Sequence, residues 1–135
     1  MLFSQVRGLP VSGPDGSGTG VLRALTVDAA AARVACLRVR AGMFGKLVVP
    51  WPAVRSFGPG GVVAGPPGSP GRVPAHHEML DRLILSDAGE RHGTVLDVAF
   101  DEVTGGVEAV FTTFGEVPPR RLLGLGGYAL VVLAG

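Results

Sequence analysis

Two stretches of this chain align with each other at a fixed offset, and such a duplication constrains the fold more than any single motif. Gly20 aligns with Gly93, Leu22 with Val95, Leu25 with Val98, Val27 with Phe100 and Asp28 with Asp101. Val34 then aligns with Val107 and Leu37 with Val110, and upstream Val11 aligns with Ile84 and Gly16 with Gly89. All of these pairs share an offset of 73 residues. Near the end of each unit the offset falls to 68: Val54 aligns with Leu122, Gly58 with Gly126, and Val62-Val63 with Leu130-Val131. The second unit has therefore lost five residues between its middle and its last strand.

Within each unit the pattern is that of β-strands. In Leu96–Asp101, apolar Leu96, Val98 and Phe100 alternate with Asp97, Ala99 and Asp101, which predicts one face in a core and one in water. Asp101–Gly106 reads as a turn, and Val107–Thr113 as the returning strand. Unit one repeats this hairpin through Val21–Val27, a turn over Asp28–Arg33, and Val34–Val39. The alanine run Ala29–Ala32 is too short to persist as a helix and reads as a loop. Leu25, Val27, Leu37, Val98, Phe100 and Val110 are the expected core.

Gly65–Pro74 carries four prolines and no periodic apolar residues, so it reads as an exposed linker. The expected organisation is unit one at 1–64, a linker at 65–76 and unit two at 77–135. Hydrophobic residues make up 47% of the 135-residue chain, enough for a buried core, and the 22 Gly and 11 Pro read as frequent tight turns. Short strands at this spacing predict an all-β chain of two compact barrels, a form that removes exposed sheet edges.

The residues also carry a family resemblance. Gly8-Leu9-Pro10-Val11, Asp15-Gly16, Gly20-Val21-Leu22 and Leu25-Thr26-Val27-Asp28 are followed by Val49-Pro50-Trp51-Pro52-Ala53-Val54-Arg55-Ser56-Phe57-Gly58. Unit two matches through Gly93–Asp101 and Thr104-Gly105, and departs where Arg120-Arg121-Leu122-Leu123-Gly124 closes it. In these segments the chain resembles the PRC-barrel family, as two tandem repeats. The resemblance implies small, non-catalytic β-barrels that dock on larger assemblies, and it brings no catalytic motif or cofactor.

Several chemistries find little support. The lone Cys36 cannot form an intrachain disulfide and sits in an apolar run, so it reads as a core residue in a reducing cytoplasm. The first residues lack the charged and apolar regions of a signal peptide, and the longest apolar stretch, Leu122–Ala134, is too short to cross a bilayer as a helix. The glycines at 16, 18 and 20 lead into a strand, with no Gly-Lys-Ser/Thr following, and read as a hairpin loop rather than a phosphate cradle. His76-His77, with Glu78 and Asp81 nearby, reads as solvated polar residues rather than a metal site. Asp28 and Asp101 each open a turn. Ser4, Ser17, Ser56 and Ser86 lie in no nucleophile elbow.

The charge distribution is the most informative remaining feature. Over residues 1–64 seven basic residues stand against Asp15 and Asp28, a net +5; over 65–135 five arginines stand against nine acids, a net −4. Such a split marks either a polyanion-binding half or attraction between units, within or between chains. Arg38 and Arg40 share a strand face, and their counterparts Phe111 and Thr113 are uncharged. Arg38, Arg40, Lys46, Trp51 and Arg55 are thus the candidate partner-binding residues, with Trp51 read chiefly as core. The leading expectation is a non-enzymatic cytoplasmic interaction or scaffold module without cofactor, metal or membrane insertion. Its partner would be a protein, and a homodimer is compatible with the split. The alternative is an RNA- or ribosome-associated assembly factor acting through the basic first unit.

Overall fold

A computed structural model of the chain describes residues 1–16, 18–42, 45–65 and 78–134. It is all-β, with two six-stranded sheets. Unit one holds β1 (Pro10–Ser12), β2 (Gly18–Asp28), β3 (Arg33–Ala41), β4 (Gly45–Pro50), β5 (Val54–Gly58) and β6 (Gly61–Ala64). Unit two holds β7 (Leu83–Ser86), β8 (Arg91–Phe100), β9 (Val107–Thr112), β10 (Gly115–Val117), β11 (Leu122–Leu125) and β12 (Ala129–Val132). The spatial orders β4-β3-β2-β1-β6-β5 and β10-β9-β8-β7-β12-β11 are the same topology twice. A short helix α1 (Phe3–Val6) precedes β1. Of the expected linker, 66–76 lie outside the described residues, as do His76 and His77.

The repeat holds down to the register. Leu25 pairs with Leu37 as Val98 pairs with Val110, and in parallel Val11 pairs with Val62 as Ile84 pairs with Leu130. Even the irregularities coincide, at Leu22/Ala24 and Val95/Asp97, and at Val54/Ser56 and Leu122/Gly124. The five missing residues come from one hairpin. Val39 pairs with Leu47 across a seven-residue connection, whereas Thr112 pairs with Gly115 across two. Gly20 and Gly93 align because each is crowded by the equivalent residue of the neighbouring strand, Arg40 through its backbone and Thr113 through its side chain. A Cβ on Gly20 would stand 2.2 Å from the Arg40 carbonyl oxygen, and one on Gly93 would stand 2.1 Å from Thr113 Oγ1.

Two expectations are corrected. The sheets do not close into barrels. β4 and β5 are the two edges of sheet one yet follow each other in the chain, so the sheet curls until its edges meet at the 3₁₀ turn Trp51–Ala53. The corner residues Pro50 and Pro52 have no N–H to complete a ladder there, and Pro118 and Pro119 occupy the matching corner. The open edges are short and carry Lys46, Arg55 and Glu116, which discourages strand addition. Secondly, Leu96 is not in the core: it is 55% exposed. The bulge between Val95 and Asp97 inserts one residue and breaks the alternation, so Val95, Val98 and Phe100 point inward. The other expected core residues, Leu25, Val27, Leu37, Val98, Phe100 and Val110, are all buried. The Ala29–Ala32 segment is a turn, as expected.

The two units share a single core. Their seam is reciprocal. The Val34 N–H donates to the Gly105 carbonyl and the Val107 N–H to the Ala32 carbonyl, both at 2.8 Å. Val34 and Val107 are repeat equivalents, as are Ala32 and Gly105, so the seam has the form of a two-fold interface. The lead-in segments cross it: α1 packs on β8, Leu2 bridges Ala99, and the Met79 N–H donates to the Leu25 carbonyl. Trp51 stacks on Phe57 (6.1 Å, 24°) and meets Phe100 of unit two edge-on (6.1 Å, 84°).

The symmetry exposes a defect in unit one. Gly105 sits at φ +78°, and its equivalent Ala32 sits at φ +52°, where a side chain is strained. Ala32→Gly is expected to stabilise the protein by about 0.5–1 kcal/mol, since relief of left-handed strain outweighs glycine's entropy. A urea melt should show a higher midpoint at unchanged slope. A lower midpoint would mean that the methyl group's core contact matters more than the strain.

Candidate functional site

Three of the four cations singled out in the sequence, Arg38, Arg40 and Lys46, converge on one cleft, built by the hairpin extension that unit two lacks. Arg38 lies on β3, Arg40 at its far end and Lys46 on β4, and Arg40 pairs directly with Lys46. With Arg23 of β2 they line an open cleft of about 370 Å³, walled also by Ala24, Leu47 and Val48. One carboxylate enters it: Glu78 Oε1 stands 3.8 Å from Arg38 Nη1. Unit two thus supplies an acidic group to one member of the basic stripe. The Arg40 Nε–H reaches the Gly42 carbonyl at 3.5 Å, within its own hairpin.

The electrostatics are unusual for a passive surface. Arg40 and Lys46 are like charges directly opposite each other on neighbouring strands, an arrangement that destabilises a sheet. Among the described residues four cations and one carboxylate line the cleft, an excess of positive charge that attracts an anion.

The remaining candidates lie elsewhere. Trp51 belongs to the seam, held between Phe57 and Phe100 and against Gly105, so its partner surface is the chain's own second unit. Arg55 is exposed and lines a separate cleft of about 260 Å³ with Trp51, Phe57, Glu102 and Val103. The sequence reading missed Arg23 and Glu78. Arg23 is the repeat partner of Leu96, so the bulge that turns Leu96 outward does the same for Arg23. Glu78 was grouped with the histidines before it, and only the crossing of the units brings it to Arg38.

Residues set aside on chemical grounds have structural places. The Asp101 carboxylate accepts hydrogen bonds from the Val103 and Thr104 N–H groups at 2.8 and 2.9 Å, and these hold its pKa below the ordinary value. Asp28 accepts likewise from the Ala31 N–H at 3.2 Å. Cys36 is fully buried, and burial pushes its thiol pKa up, which disfavours the reactive thiolate. Among the described residues no group of three His, Cys, Asp or Glu side chains could hold a metal ion, and no helix is long and apolar enough to cross a membrane. Compared with models of known protein families and with curated proteins, the chain matches none.

Proposed function

We propose that this chain is a non-enzymatic protein-interaction module whose basic cleft binds an acidic, partly apolar protein segment. The observation that carries the reading is the cleft itself: Arg23, Arg38, Arg40 and Lys46 gathered around one carboxylate, with Arg40 and Lys46 opposed on the extended hairpin. The lining is mixed. Ala24, Leu47 and Val48 offer apolar contact beside the charges, and no described lining residue is aromatic, so base-stacking platforms are missing from the described wall. This combination suits carboxylates interleaved with apolar side chains better than a nucleic-acid backbone. The resemblance to tandem PRC-barrel repeats, which we keep as part of the proposal, supports the same reading through that family's docking roles. A cytoplasmic setting accords with the free, buried Cys36.

The test is fluorescence anisotropy with a labelled peptide alternating Glu and Leu, beside a labelled single-stranded RNA. At about 0.15 M salt the peptide should bind the chain, and Arg40→Glu with Lys46→Glu should weaken it at least about tenfold. RNA binding tighter than peptide binding, and lost in the same variant, would overturn this reading in favour of an RNA-associated factor.

A further inference from the structure

The face of unit two that corresponds to the basic cleft is apolar and acidic. The repeat equivalents of Arg23, Arg38 and Lys46 are Leu96, Phe111 and Phe114, exposed at 55%, 36% and 75%. Arg55 is likewise replaced by the exposed Leu123. Scattered exposed apolar residues are ordinary, but a replacement of surface cations by large apolar groups at matched positions is a systematic difference.

Strand register sharpens it. In unit one, Arg38 lies between Ala24 on β2 and Val48 on β4, a cation flanked by two apolar residues. In unit two, Phe111 lies between Asp97 on β8 and Glu116 on β10, an aromatic flanked by two carboxylates. Directly paired residues share a sheet face, so each row presents one surface. Laid together and displaced by one strand spacing, about 4.8 Å, the rows match: Arg38 meets a carboxylate and Phe111 meets an apolar neighbour. Asp97 is held in place by Ser4, whose N–H donates to Oδ1 at 3.0 Å and whose hydroxyl donates to Oδ2. Within one chain these faces do not cover each other, since Leu96 and Phe114 are exposed and the carboxylate at Arg38 is Glu78.

We propose that the chain associates head to tail, the basic cleft of one copy seating on the Leu96–Phe111–Phe114 face of the next. This rests on the reading of the cleft as a site for an acidic, apolar protein surface, and it names that surface. The two faces differ, so the contact is heterologous, and each added copy leaves one face of either kind free until a ring closes. The +5 and −4 halves give the same polarity at longer range.

Sedimentation velocity of the full chain tests it, over about 10 μM to 1 mM and at about 0.05 and 0.5 M salt. The average mass should climb above that of one chain with concentration, and association should weaken at least about tenfold at the higher salt. Arg40→Glu with Lys46→Glu should remain single, as should Phe111→Ser with Phe114→Ser. Each of these variants keeps one face intact, so an equimolar mixture should form a two-copy species and go no further. Glu116→Lys, which leaves the aromatics untouched, should weaken association and keeps the test valid should the serine variant fail to fold by circular dichroism. A chain that stays single throughout, or folded variants that fail to pair when mixed, would overturn self-association. Retention of the Glu/Leu peptide by such a single chain would leave the cleft's assignment standing, and loss of peptide binding as well would remove both.

Discussion

Phe100→Ala should cost about 3–5 kcal/mol, the range for deleting a fully buried phenylalanine. Phe100 is 0% exposed and is the point where the two units' cores join. Its ring lies 5.4 Å from Phe57 and 6.1 Å from Trp51, both contributed by unit one. The substitution therefore opens a cavity on the seam and removes two edge-on aromatic contacts. Domains of this size are stable by only about 5–15 kcal/mol, so the variant should melt far below the parent. Both units should unfold in one transition, since they share the core. A small shift in melting temperature, or a transition in which only unit two is lost, would contradict the joined core.

Gly105→Ala should be the next most damaging change, at about 2–4 kcal/mol. Two effects add. The residue sits at φ +78°, which costs an alanine about 1 kcal/mol. Its new Cβ would also stand 2.7 Å from Trp51 Cε2, and the indole is hemmed in by Phe57 and Phe100. The two contributions separate in a double-mutant cycle. Against a Trp51→Ala background the cost should fall toward the backbone component alone. An unchanged cost there would show that the ring contact is not what constrains the position.

The duplication was legible in the sequence because it is written in residues that tolerate little change: glycines at close approaches, aspartates that bond their own turns, and buried aliphatics. Gly20 and Gly93 align because both are crowded by the equivalent residue of the neighbouring strand, and the shift from 73 to 68 marks the shortened hairpin. Leu96 was misplaced because strand alternation presumes an unbroken ladder, and a bulge leaves no local signature in Val95-Leu96-Asp97. Barrel closure was overestimated for a related reason. Prolines 50, 52, 118 and 119 read as turn formers, and their lost N–H groups at the corner weigh only once the edges are seen to meet there. The basic stripe was visible as a charge imbalance. Its depth was not, since Arg23 and Glu78 reach the cleft through a bulge and through the crossing of the two units.

The reciprocal seam of Val34 with Gly105 and Val107 with Ala32 has a consequence for how surfaces can specialise. When two identical subunits meet about an axis, every substitution is made twice, and an alteration that creates a binding face on one side creates it on the other. Joining the halves into one polypeptide lifts that restriction. The Arg23, Arg38 and Lys46 positions could become cationic while Leu96, Phe111 and Phe114 became apolar, without any change to the shared interior that holds them. A covalent pair can thus be directional, with a front and a back, where a symmetric pair has only two fronts.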